Sequence, residues 1–125
     1  MTTITKEETS LVSTANRKVV EAFTYNNQYR IKITTSHYKN YKCYRTVVSF
    51  CEIEIGRGYT TEKYQDIMGG NSMRLVNQVP TPRYNYQQLV NAHITGHNNA
   101  KAIIDLFEQQ IINLLNDREN ESEIN

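Results

Sequence analysis

Both prolines of this 125-residue chain, Pro80 and Pro82, stand at one place and divide it into two unlike parts. Proline locks φ and has no N–H for a strand ladder or a helix, so Pro80-Thr81-Pro82 must interrupt regular structure. Before it the hydrophobic pattern has the period of a strand, and after it that of a helix. Tyr29, Ile31 and Ile33 alternate with Arg30, Lys32 and Thr34, and Cys51, Ile53 and Ile55 with Glu52 and Glu54. Downstream, Ala100, Ile103, Ile104, Phe107, Ile111, Leu114 and Leu115 form one broad apolar stripe. Strands followed by helices specify an α+β fold: a small antiparallel sheet of about four strands, then C-terminal helices packed on one face. The domain is expected to span 1–116, with 117–125 an acidic, disordered tail.

The remaining elements follow from turn and cap signals. Thr5 and Glu8 have capping-box spacing, and Leu11, Ala15, Val19 and Ala22 recur at helical intervals. A short helix or irregular lead is therefore expected to about residue 16, before a strand over Lys18–Tyr25. A long strand runs from Tyr44 to Ile55. Its Val47, Val48 and Phe50 require burial on both sides or a bulge. After Gly56-Arg57-Gly58, Thr60 or Thr61 caps a short helix through Met68, and Ser72–Val79 is a further strand. Asn85 caps a helix that stops at Gly96, and Asn98 starts the last one. Leu106 and Ile112 make that last stripe wider than one sheet face needs, which predicts a homo-oligomer.

Hydrophobic residues at 38% suffice for a core, and no apolar run reaches the ~20 residues that span a bilayer. Met1–Ser10 lacks the basic and apolar blocks of a leader. Cys43 and Cys51 match no zinc spacing and would be too far apart on one strand to bond, so reduced thiols and a cytoplasmic location are expected. The net charge of +1 is an average. Arg17 to Arg83 holds eleven basic and five acidic residues, whereas the flanking segments hold three and eight. Such asymmetry suits an anion-binding face, or simply a solvated sheet surface.

Three constellations bear on chemistry. The run Ile53 to Thr61 leads from a strand through a glycine loop into an expected helix N-terminus, where backbone N–H groups hold anions. Arg57, Gly58, Tyr59, Thr60 and Thr61 would bind phosphate there, with Arg83 and Tyr84 clamping a base or second phosphate; a glycine turn with a threonine cap accounts for the same residues. Next, Tyr29, Arg30, Lys32, Tyr41, Lys42 and Arg45 interleave rings with cations, as a single-stranded nucleic-acid face does and as an ordinary strand surface also does. His93 and His97 stand at i, i+4 but lack further ligands, so a surface or capping role is expected rather than a metal site. No catalytic set and no cofactor motif is present, which points to a binding protein rather than an enzyme. The ligand would be an anionic nucleotide-like small molecule; a single-stranded nucleic acid, or a protein target for an inhibitor or assembly factor, are the alternatives.

Glu54-Ile55-Gly56-Arg57-Gly58-Tyr59-Thr60, the Pro80-Thr81-Pro82-Arg83-Tyr84 segment and the closing pair of helices resemble the phage Thoeris anti-defence sponge proteins. The resemblance covers most of the chain in size and order of elements. It implies a small, strand-first, oligomeric protein that sequesters a cyclic ADP-ribose isomer without degrading it, and it assigns no ligand contact to a particular residue.

Overall fold

The computed structural model describes residues 4–64, 73–81 and 83–124. Six strands come first: β1 (Lys6–Ser13), β2 (Lys18–Tyr25), β3 (Tyr29–Tyr38), β4 (Cys43–Gly56), β5 (Tyr59–Tyr64) and β6 (Met73–Pro80). Two helices follow, α1 (Tyr86–Asn99) and α2 (Lys101–Ile124). The α+β order read from the two periodicities is the order observed. All strand pairs are antiparallel, β1 to β5 form a meander, and β6 returns to pair with β4. The fourteen-residue β4 makes this possible, because its first half pairs β6 through Cys43–Ser49 and its second half pairs β5 through Cys51–Gly56.

Residues opposite one another in an antiparallel ladder share a face, so register decides what is buried. Ile31 lies opposite Phe23 and Phe50, and Ile33 opposite Val48. This face packs on α2: Tyr25, Tyr29, Ile31, Ile33, Val48 and Phe50 meet Ala100, Phe107, Ile111 and Leu115. A second cluster of Val19, Tyr44, Leu89 and Ala92, with Tyr84 against it, joins α1 to the sheet. Each fully buried large side chain contributes about 1.5–3 kcal/mol of transfer free energy. The bulge expected in β4 falls instead in its partner: β4 pairs with β3 without a break, and the register with β6 shifts between Thr46 and Val47. Val76 is the extra residue, and it packs against the core.

Four expectations need correction. Residues 6–13 are β1, not a helical lead; the helical spacing of Leu11 was coincidental, since Leu11 is exposed while backbone pairing to β2 holds the strand. The helix expected from Thr60 or Thr61 begins instead as β5; its continuation towards Met68 lies outside the described residues. Arg57-Gly58 is a two-residue hairpin turn, with Gly58 at φ +76 where a side chain would be strained. These two unexpected strands raise the sheet from about four strands to six. The helix break falls at Ala100, which caps α1 through Gly96 and His97 carbonyls, rather than at Gly96. Finally, α2 continues as helix through the acidic stretch to Ile124.

Candidate anion-binding end of the sheet

The antiparallel meander gathers three connections at one end: the β1–β2 turn, the β3–β4 turn and the β6–α1 segment. Backbone hydrogen bonds tie them together, from His37 N to Arg17 O at 3.1 Å and from Thr81 N to Lys42 O at 2.6 Å. Arg17, Lys18, Lys39, Lys42, Arg45 and Arg83 all fall here. No aspartate or glutamate occurs within 13–20, 36–45 or 78–88. Among the described residues none of these six cations makes an ion pair. The N-terminus of α1 faces the same end; Asn85 caps it by accepting from Gln88 N, and its first turn has no acidic residue. The positive pole of the helix thus adds to the cations.

Aromatic rings line this end. The Arg45 guanidinium lies over Tyr38 and Tyr41 at 5.1 and 5.2 Å from the ring centroids, and Arg17 over Tyr84 at 4.7 Å. His37 sits between Tyr44 and Tyr84, with centroids at 5.1 and 5.7 Å. Both of its ring nitrogens are buried without a hydrogen-bond partner among the described residues. Burial first, and then the Arg17 charge, hold its pKa below 6.5. Burial and Arg17 thus favour the neutral imidazole. Arg17 and Lys42 hold left-handed backbone, at φ 52 and 49, a strain that side chains such as theirs do not favour.

Two concavities flank the end. One, of about 260 Å³, lies between β6 and α1. The other, of about 270 Å³, lies on the uncovered sheet face among Lys18, Lys32, Thr34, Ser36, Tyr38 and Ser49.

The fold thus divides the residues expected to form sites. Arg83 and Tyr84 share the basic end with Tyr41, Lys42 and Arg45. Arg57, Gly58, Tyr59, Thr60 and Thr61 lie at the β4–β5 hairpin, separated from them by the length of β4, roughly 40 Å at ~3.3 Å per residue. The loop and the Arg83 clamp therefore cannot embrace one small ligand within a single chain. Arg30 and Lys32 lie on the uncovered face but pair with Glu62 at 3.1 and 2.5 Å. Burial pushes the Glu62 carboxyl up, but the hydrogen bond and charge of Lys32, joined by Arg30, outweigh it and leave the pKa lowered. Glu62 also covers Cys51, whose thiol is pushed up to about 12, chiefly by burial. Cys43 and Cys51 are both buried and free. Tyr29 belongs to the core, 2% exposed, so it offers no stacking surface; strand alternation turns it away from Arg30.

The largest departure concerns His93. It is buried, not superficial: Nδ1 bonds Thr35 Oγ1 at 2.7 Å and Nε2 meets Glu21 Oε1. His97 also reaches Glu21 Oε1, at 3.2 Å, while Thr35 bonds Thr46 at 2.7 Å. Carboxylate, imidazole and hydroxyl stand in the order of a nucleophilic triad. Yet Thr35 and Thr46 are fully buried, so neither hydroxyl reaches a substrate; the chain of bonds ties α1 to the sheet. Among the described residues no three His, Cys, Asp or Glu are arranged to hold a metal ion. No helix among them is long and apolar enough to cross a membrane.

No family model matches this chain, and no curated protein or solved structure matches it either.

Proposed function

We propose that this chain is a non-enzymatic binding protein for an anionic, nucleotide-like small molecule, held at the basic end of the sheet. One observation carries the reading: six cations lie at that end on segments that hold no carboxylate, none of them in an ion pair among the described residues, beside exposed rings. Self-repulsion of this kind opposes folding, and a bound polyanion offsets it. Lys42, Arg45 and Arg83 hold phosphates, Tyr38 and Tyr41 offer stacking surfaces, and the pole of α1 adds backbone N–H donors. The resemblance to Thoeris sponges makes a cyclic ADP-ribose isomer the first ligand to test. It also suggests a cytoplasmic anti-defence role and an oligomer, to which exposed Leu106 on α2 would contribute.

The test is native mass spectrometry of the protein with ADP-ribose isomers, repeated after denaturation, alongside titration of Lys42→Ala/Arg45→Ala/Arg83→Ala. The expected result is a ligand bound natively, released chemically unchanged, and lost in the triple variant. A ligand released in altered form would make the chain an enzyme, and binding untouched by the three substitutions would remove the site. The spread of cations over three connections and both sides of the sheet favours a second reading, a single-stranded nucleic acid. That reading requires log affinity to fall with log salt by about 0.7 per phosphate contacted, over several phosphates. A nucleotide-sized ligand shows a shallower slope and fixed stoichiometry.

A further inference from the structure

We infer that the groove between β6 and α1 is a nucleobase pocket serving the phosphate-binding end, an inference that rests on the reading above. It is lined by buried Tyr44, Thr81 and Ala92 and by exposed Val79 and Pro80, and its rim carries exposed Gln88, Asn91 and Thr95. None of its lining residues is charged at neutral pH, so the groove suits a neutral heterocycle and not a phosphate. The volume of about 260 Å³ is below the ~300–1,000 Å³ of drug-sized sites, which fits one ring system rather than a whole dinucleotide. The sheet-face concavity differs, because Lys18 lines it together with Lys32, which Glu62 pairs.

The rim is poised for base recognition. Asn91 Oδ1 accepts from Gln87 Nε2 at 3.0 Å, and Gln88 Oε1 lies 3.4 Å from Tyr44 Oη, whose one proton has a shorter acceptor in Asn85 O. Each amide keeps an acceptor lone pair and its NH₂ donors, the paired functions that read the N6 and N7 edge of adenine. The Tyr44 ring is a rigid wall, since its hydroxyl donates to Asn85 O at 3.0 Å and accepts from Asn85 N at 2.9 Å. The groove also adjoins the cations through the chain itself. Thr81, another lining residue, bonds the Lys42 carbonyl, and Arg83 lies between Thr81 and the helix cap. A purine seated in the groove leaves its phosphates beside Lys42, Arg83 and the start of α1.

Calorimetric titration with ADP and with pyrophosphate separates this inference from the reading beneath it. ADP is expected to bind about tenfold more tightly than pyrophosphate, the gain from one good amide–base pairing. Gln88→Ala/Asn91→Ala is expected to bring ADP down to the pyrophosphate level while leaving pyrophosphate unchanged. Thr95→Leu, at an exposed rim position, serves if the double variant is unfolded, and saturation-transfer NMR reads the adenine H2 and H8 protons directly. Equal affinity for ADP and pyrophosphate, or an ADP preference that survives both variants, overturns the base pocket and leaves phosphate binding intact. Failure of both probes to bind overturns the functional reading as well.

Discussion

His37 shows how one side chain records the character of a site. Its nitrogens are buried without partners between two tyrosine rings, and burial and the Arg17 charge favour the neutral form. The folded state therefore binds fewer protons than the unfolded chain as pH falls through and below 6.5. The contribution is complete above that value and is lost below it. Melting curves are expected to show stability falling as pH drops through and below 6.5, and His37→Phe to flatten that dependence. A slope unchanged in the variant would assign the effect to another group. His93 illustrates the opposite case, an imidazole satisfied on both nitrogens by Thr35 and Glu21.

At the scale of elements, two glycines with similar crowding have different importance. Gly96 lies inside α1, and a Cβ there would meet Thr46 Cγ2 and Oγ1 at 2.4 Å. Thr46 is buried, branched and bonded to Thr35, so it cannot yield. Gly96→Ala is expected to destabilise the fold by about 1–3 kcal/mol, although alanine is the better helix former. At Gly56 the Cβ would meet the Tyr59 ring at 2.5 Å, but that ring is 63% exposed and can swing away. Gly56→Ala is expected to cost under about 1 kcal/mol. Urea unfolding of both variants measures the difference, and equal losses would refute the claim that Gly96 sets how closely α1 approaches β4.

The whole molecule segregates charge. Away from the basic end, Lys6 meets Glu108 at 3.1 Å, and Arg30 and Lys32 meet Glu62. At the basic end no cation has a carboxylate partner among the described residues. Pyrophosphate is therefore expected to raise Tm more than sodium chloride of equal ionic strength, as a ligand that binds only the folded state must. Lys42→Ala/Arg45→Ala/Arg83→Ala is expected to lose that increment while melting no lower than the parent in its absence. A parent Tm indifferent to pyrophosphate would mean that the cluster is merely solvated.

Much of this was legible in the residues themselves. The prolines marked the change of period, Tyr29 to Thr34 set the phase of β3, Asn85 announced the cap of α1, and the charge division was plain before any fold was known. These are local properties: side-chain alternation, φ restriction and capping act within a few residues. What the tertiary structure alone decided was convergence. The phosphate loop imagined at Arg57 and the clamp at Arg83 ended at opposite ends of β4, whereas Arg17, Lys42 and Arg83 came together. Likewise β1 and β5 exist because β2 and β4 offer them ladders, and His93 is buried because Thr35 and Glu21 wait on the sheet beneath it. Such contacts join residues tens of positions apart, and a periodicity confined to one segment carries no record of which strand or helix will lie across from it.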